Sequence, residues 1–345
     1  MKITLNFDDI IYQLQQQGGI SKYWQELTNR IAANHLFEVN RTTGSKITRY
    51  LPIYTNADIF HSSYYRKPLS KKAQNIVTVY DFLYHFGQLK SINTRINIWQ
   101  IESAINAANA IVCISENTKK DLFLLYPHLV NHPHVYVVGI GASIKFDETI
   151  NLKPPSRILE SSISKLQKSI LFVGKRIRYK NFENALLGFY ESDLAKEGFT
   201  LLCVGSSFSV AEVQLLTKLN LRNNVAFIEN ATEKELNYVY QNAFALVYPS
   251  LYEGFGLPPL EAMSCGCPVI ASNTSSIPEV VADAGILINP QDPQEIASAL
   301  KTLLDHKTRS SYITKGFARS KIFNWDEFAQ NYIQIYKSLV VESKK

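Results

Sequence analysis

The stretch 248–272, YPSLYEGFGLPPLEAMSCGCPVIAS, holds the side chains best suited to chemistry. A short apolar strand, Ala245–Tyr248, runs into a glycine-bearing loop, and Pro258 and Pro259 suit the first turn of a helix that Leu260–Ser264 continue. The backbone N–H groups of Phe255, Gly256 and Leu257 would then project from a helix start. Such amides, together with the helix dipole, favour an anion, phosphate above all, and Gly254 and Gly256 let the backbone approach it closely. A lone G-x-G also describes an ordinary tight turn, but here Glu253 and Glu261 flank it, with seven residues between them. On one helix they would stand roughly 12 Å apart, whereas retaining glycosidases hold their carboxyls about 5–5.5 Å apart. Hydrolysis by that route is excluded. The spacing suits the two ends of one elongated ligand, with sugar hydroxyls at Glu253, phosphates on the amides between, and a ribose at Glu261.

A second cluster lies in FVGKRIRYKNFENALLGF, residues 172–189, where Lys175, Arg176, Arg178 and Lys180 follow directly on an apolar strand. A sugar leaves a diphosphate only if the charge growing on the phosphates is stabilised, and fixed cations do this without a metal. A run of four cations is usually a solvated face, but its place at a strand end favours a clamp. No D-x-D occurs in the chain, which argues against a metal-held diphosphate, and no metal or cofactor is expected.

E-G-F-G-L-P-P-L-E-A-M resembles the E-x7-E signature of the family 4 retaining glycosyltransferases, glycosyl transferases group 1, of the bacterial surface-polysaccharide type. P-S-L-Y before it and Ser275–Val280 after it match the same neighbourhood, and the likeness extends over nearly the whole chain. The resemblance implies a GT-B fold, two Rossmann-like domains facing across a cleft. It also implies that Glu253 contacts the donor sugar, that Glu261 contacts the nucleotide ribose, and that Arg176 and Lys180 clamp the diphosphate. QQQGGISKYWQEL, residues 15–27, is similar to the family's glycine loop, so Gly18 and Gly19 would approach the donor phosphates or the acceptor, with Ser21 as helix N-cap. At the end of VTVYD, residues 77–81, the family commonly has His-Asp where this chain has Tyr80-Asp81; Asp81 stays the candidate for orienting the acceptor hydroxyl. The donor implied is a nucleotide-diphosphate sugar as co-substrate, and the acceptor implied is a glycan or polyprenyl-linked glycan.

The elements that must position these groups follow from hydrophobic patterning. Short β-branched or aromatic runs alternate with longer helix-like stretches, which reads as α/β, a parallel sheet wrapped by helices. Strands are expected at Ile3–Phe7, Asp58–Phe60, Ile76–Tyr80, Ala110–Ile114 and Val135–Val138, with helices such as Ser21–Ala33 and Thr94–Ala108. Residues 147–168, with Pro154 and Pro155, read as a polar connector, after which strands recur at Ile170–Val173, Leu201–Val204, Val225–Ile228, Ala245–Tyr248, Val269–Ala271 and Ile286–Ile288. This gives an acceptor domain over residues 1–150, a nucleotide-sugar domain over 151–325, and a terminal amphipathic helix over 326–345 able to cross back to the first domain. His61, Asp81, Ser115, Gly139, Gly174, Gly205, Glu229, Pro249 and Ser272 each follow a strand, where open α/β sheets bind ligands. Gly205 and Glu229 are therefore counted with the donor site, and the loops at Ser206–Ser207 and Glu229–Asn230 with base selection. His61 fits either a site or a satisfied core histidine.

Composition removes other classes. With 345 residues, 46% hydrophobic and 19% charged, the chain is neither disordered nor fibrous, and 36 basic minus 30 acidic residues leave only +6, too little to indicate nucleic acid. Asp8 and Asp9 interrupt any signal peptide, and no spanning apolar stretch occurs, so a cytoplasmic protein is expected. Arg66, Lys67, Lys71 and Lys72 with Tyr64, Tyr65 and Leu69 form a basic-aromatic stretch that could touch the inner membrane peripherally, though a plain soluble loop is the simpler reading. The four cysteines read as reduced core thiols. A dinucleotide-dependent oxidoreductase would need G-x-G-x-x-G after a strand, and Pro259 stands where the third glycine belongs. A non-catalytic nucleotide-sugar-binding partner of a transferase complex satisfies the same motifs.

Overall fold

Six strands build the first sheet: β1 (Ile3–Asp8), β2 (Phe37–Thr42), β3 (Ile59–Ser62), β4 (Gln74–Val79), β5 (Ala110–Cys113) and β6 (Val135–Val137). The computed structural model describes residues 2–16, 18–89, 93–149 and 166–343. All pairings in this sheet are parallel, in the order β2-β1-β3-β4-β5-β6. A second parallel sheet consists of β7 (Ser169–Val173), β8 (Thr200–Val204), β9 (Val225–Ile228), β10 (Ala245–Tyr248), β11 (Val269–Ser272) and β12 (Ile286–Ile288), in the order β12-β11-β10-β7-β8-β9. The class is α/β, with two doubly wound units.

Each unit has its own core, because strands buried on both faces must be apolar throughout. In the N-terminal unit Val77, Val79, Ile111 and Cys113 of the sheet pack with Ile101, Ala104, Ile105 and Leu122 of the helices Thr94–Asn106 and Glu116–Leu125. In the C-terminal unit Ile170, Phe172, Leu201, Ala245, Val247 and Ile270 pack with Leu186 and Phe189 of the helix Phe182–Glu191 and with Ile296 and Leu300 of Pro293–Thr302. All four cysteines are buried and unpaired.

The N-terminal unit runs to Gly141 and takes back the chain from Phe323 onward; the C-terminal unit is Ala142–Ile322. The division precedes the expected residue 150 because Ala142–Phe146 is hydrogen-bonded into the second unit: Phe146 N donates to the Ser264 carbonyl at 3.0 Å, and Asn237 Nδ2 to the Lys145 carbonyl at 2.9 Å. The connector expected at 147–168 lies mostly outside the described residues. The terminal helix, Trp325–Glu342, packs on the helix Gly19–Ala32 and buries Phe328, Tyr332, Ile333, Tyr336 and Leu339.

Several local expectations change. Ser21 is not the N-cap of its helix: Gly18 holds that position, and the Ser21 hydroxyl donates to the Gln15 carbonyl at 2.5 Å. β2 is a strand the sequence reading lacks. The basic-aromatic stretch does not form one face. Arg66 is 5% exposed, ion-paired to the fully buried Asp8 at 3.0 Å, and Tyr65 is buried; Lys67 Nζ donates to Ser103 Oγ at 2.6 Å. Lys71, Lys72 and Leu69 remain exposed. Among the described residues no helix is long and apolar enough to cross a membrane.

Candidate active site

In the C-terminal sheet the strand order reverses direction between β7 and β10, which pair side by side. Crevices outside the carboxyl ends of strands at such a switch point are where doubly wound sheets bind ligands. Lys180 follows β7, Tyr248 ends β10, and Glu253 follows it. Lys180 Nζ donates to Glu253 Oε1 at 2.6 Å and to the Tyr248 hydroxyl at 2.7 Å, and the Tyr248 hydroxyl donates to the same Glu253 oxygen at 2.7 Å. The triangle is partly covered, with the Lys180 and Glu253 side chains 14% and 12% exposed. Burial first, and then the Glu253 charge, pushes the Tyr248 hydroxyl well above the usual tyrosine range, so it stays a donor.

The local sequence fixes this geometry. After β7 the chain makes a short turn, Arg178–Lys180, and Asn181 takes a left-handed conformation, φ 59°, that asparagine tolerates. The Asn181 amide donates to the carbonyls of Pro249 at 3.0 Å and Pro290 at 2.5 Å, and Leu251 N donates to the Tyr179 carbonyl at 2.7 Å. The loops after β7 and β10 are thereby pinned together. From the β11 side, Glu253 N donates to Ser275 Oγ at 3.0 Å, while the Ser275 and Ser276 hydroxyls donate to the Glu253 carbonyl at 2.6 and 2.9 Å. Gly256 caps the helix Leu257–Ser264 at φ 124°, and a Cβ there would stand 2.8 Å from Ile277 Cδ1, so only glycine fits. Pro258 and Pro259 carry no N–H, so Leu257 alone supplies an amide among the first three residues of that helix.

Arg176 and Lys180 stand in separate hydrogen-bond networks. The Arg176 side chain is 3% exposed: Nε donates to Glu212 Oε1 at 2.7 Å, Nη2 donates to the Ser206 and Ser207 carbonyls at 2.8 and 2.6 Å, and the guanidinium lies over the Phe208 ring at 4.5 Å. Burial works against the Glu212 carboxylate, but the Arg176 and Ser209 bonds outweigh it and hold its pKa below the usual range. Arg176 Nη1 is buried without a hydrogen-bond partner among the described residues. It faces Gly205, whose backbone sits so close to the Gly174 carbonyl that a Cβ would stand 2.7 Å from it. The Ser206–Ser207 loop, expected to select a base, turns its carbonyls to Arg176.

The other expected residues are more dispersed. Glu261 is half-buried, and its charge, after burial itself, raises the buried Tyr240 hydroxyl. Glu229 follows β9 and is half-buried. Gly254 and Phe255 lie in the loop before Gly256, and the Phe255 carbonyl accepts from Ser276 Oγ at 2.7 Å. Gly18, Gly19 and Asp81 belong to the N-terminal unit; Asp81 Oδ1 accepts from Leu83 N at 3.1 Å, and its charge adds to the burial that raises Tyr64 and Tyr65. His61 is a core histidine: it is fully buried, Nδ1 meets the Tyr336 hydroxyl at 2.8 Å, and Nε2 meets Thr78 Oγ1 at 2.9 Å. Sequence reasoning missed Tyr248, Asn181 and the Ser275–Ser276 pair as site residues. The readable signal for Tyr248 was a hydroxyl closing the otherwise aliphatic strand ALVY. Among the described residues no group of three or more His, Cys, Asp or Glu side chains is placed to hold a metal ion.

This is the GT-B architecture, two doubly wound parallel sheets with the candidate site at the C-terminal switch point. HepE of Anabaena, solved in complex with UDP and glucose, shares the fold, with a TM-score of 0.72 at 16% identity over 97% of this chain and 100% of that one. Residues 158–319 match the family Glycosyl transferases group 1. The O-antigen chain mannosyltransferase B of Escherichia coli is 42% identical over 127 residues, which cover 36% of this chain and 33% of that protein. The O-antigen chain mannosyltransferase RfbU of Salmonella typhimurium is 27% identical over 222 residues, 61% of this chain and 62% of that one. The chain thus spans between a third and under two thirds of these curated relatives.

Proposed function

We propose that this protein is a retaining, metal-independent glycosyltransferase that moves a sugar from a nucleotide-diphosphate donor to a hydroxyl of a glycan or lipid-linked glycan, in cell-surface polysaccharide synthesis at the cytoplasmic face of the membrane. The observation that carries the reading is the Lys180–Tyr248–Glu253 group at the switch point of the sheet, inside the region matching the group 1 family. The O-antigen relatives favour mannose as the sugar.

In this reading the third N–H of Lys180, Nη1 of Arg176 and the Leu257 amide meet the charge that grows on the departing diphosphate, in place of a metal. Glu253 holds sugar hydroxyls, Glu261 the ribose, and the loop after β9, with Glu229, the base. The N-terminal unit, with Asp81, takes the acceptor. The hydroxyl attacks the anomeric carbon from the face the diphosphate leaves; the bond to the phosphate oxygen breaks as the new glycosidic bond forms, and the acceptor proton passes to that oxygen.

The test is transfer from GDP-mannose, UDP-glucose and UDP-N-acetylglucosamine to an extracted lipid-linked glycan, with the anomeric configuration read by NMR. Lys180→Ala and Glu253→Gln should each lower transfer by about 100-fold or more. Inversion of the anomeric centre would remove the retaining assignment. Binding without transfer by a folded protein would make the chain a nucleotide-sugar-binding partner.

A further inference from the structure

We infer that Tyr248 is the positioning residue that holds Glu253 in place once donor binding draws Lys180 away, so that it sets the preference for a sugar nucleotide over the bare nucleotide. This rests on the donor-site reading above and deepens it. In the structure Glu253 Oε1 accepts two hydrogen bonds, one from Lys180 and one from Tyr248, and Lys180 is shared between the same two partners. A diphosphate carries at least two negative charges and competes with Glu253 for the ammonium. When Lys180 turns to the phosphates, the carboxylate loses its countercharge and one of its two donors. The Tyr248 hydroxyl cannot follow the lysine, because its ring is 1% exposed at the end of a strand paired on both sides. It remains donated to Oε1 and tethers the carboxylate there, which leaves Oε2 for a sugar hydroxyl. The main chain is held independently by Ser275 and Ser276, so the tyrosine governs the side chain alone.

The division of labour separates two affinities. Lys180 serves the phosphates, which a nucleoside diphosphate and its sugar both carry. Tyr248, through Glu253, serves only the sugar. Tyrosine to phenylalanine removes one oxygen from a buried ring of nearly the same volume, and the Lys180–Glu253 pair survives in the empty site.

The measurement is isothermal titration of the full chain and of Tyr248→Phe with GDP, UDP, GDP-mannose and UDP-glucose, together with steady-state transfer and a melting curve. The expected result is that the nucleoside diphosphate preferred by the wild type binds within about threefold as well to Tyr248→Phe, while the preference for its sugar form falls at least tenfold and kcat falls with it. An unchanged sugar preference and turnover would reduce Tyr248 to a packing residue and overturn the inference. If Tyr248→Phe fails to fold, Lys180→Ala decides: there Tyr248 alone holds Glu253, so diphosphate affinity should drop at least tenfold with the sugar preference kept, and loss of that preference overturns the inference. If the folded wild type binds none of the four nucleotides, the donor-site reading itself fails and the inference with it.

Discussion

Arg176 and Lys180 lie four positions apart in one basic loop, and the structure sets them in different networks. Lys180 stands 14% exposed at the switch point, while Arg176 is 3% exposed and bound to Glu212 and two carbonyls. Removing a cation from a network this well covered leaves a carboxylate and two carbonyls short of donors, which typically costs several kcal/mol for a buried pair and less where one partner is partly exposed. Arg176→Ala should therefore lower the free energy of urea unfolding by about 2 kcal/mol. Lys180→Ala also leaves a covered carboxylate, Glu253, without its cation, and should cost a comparable amount, about 1–2 kcal/mol. A loss below about 0.5 kcal/mol in either variant would mean that its ion pair contributes little to the fold. The residue types at the candidate site were legible, since a carboxylate, cations and glycines stand at strand ends, where a ligand of this fold binds. What they contact was not: the partners of Arg176 come from loops thirty or more positions away, and no local pattern encodes them.

At the scale of elements, strands buried on both faces could be read because they are uninterrupted apolar runs, as in SILFV of β7 and TLLCV of β8. β2, FEVNRT, escaped because it is an edge strand with its outer positions in solvent, so a charge or amide follows nearly every apolar residue. The start of the helix Gly19–Ala32 was misplaced for a related reason, since Ser21 has the type of a cap but spends its hydroxyl on a carbonyl. His61 of β3 shows what an element gains from a polar core residue: it joins β3 to Thr78 of β4 and to Tyr336 of the terminal helix. Burial pushes its pKa down to about 3, against about 6.5 for the unfolded chain. The folded protein keeps the ring neutral while the unfolded chain takes a proton, so stability is full above pH 6.5 and is lost as pH falls towards 3. Buried Asp8 acts oppositely: burial raises its pKa to about 6 against the pull of Arg66 and Ser62, so its contribution falls as pH rises from about 4 to 6. The difference in unfolding free energy between wild type and His61→Gln isolates the histidine. It should move in favour of the variant by up to about 4 kcal/mol between pH 7 and pH 3.5. A difference independent of pH would mean that His61 titrates normally.

For the molecule as a whole, the decisive fact is that the chain divides at two points, after Gly141 and after Ile322, and that its last helix belongs to the first unit. Hydrophobic spacing of Phe328, Tyr332, Ile333, Ile335 and Tyr336 made that helix legible as amphipathic, but the apolar stripe alone does not name the surface that receives it. The structure does. Nine of its residues are buried, Tyr332 bridges to Tyr23 and to Thr78, and Tyr336 meets His61. Each large apolar side chain moved from water to a core contributes roughly 1.5–3 kcal/mol before the entropy of ordering is subtracted, so the burial along this helix is of the same order as the net stability of about 5–15 kcal/mol usual for a domain. Without it, β3 and the helix Gly19–Ala32 would lose the cover over His61 and Tyr23, and these two would lose the Tyr336 and Tyr332 hydroxyls as partners. Among the described residues, the core cluster of the C-terminal unit contains none from beyond Ile322. A chain ending at Ile322 should therefore show the loss in one unit only: scanning calorimetry should find the transition of Ala142–Ile322 retained within a few degrees, and the N-terminal unit melting far below it or unfolded throughout. Two intact transitions would mean that the tyrosine network is dispensable; loss of both would mean that the two cores do not fold independently.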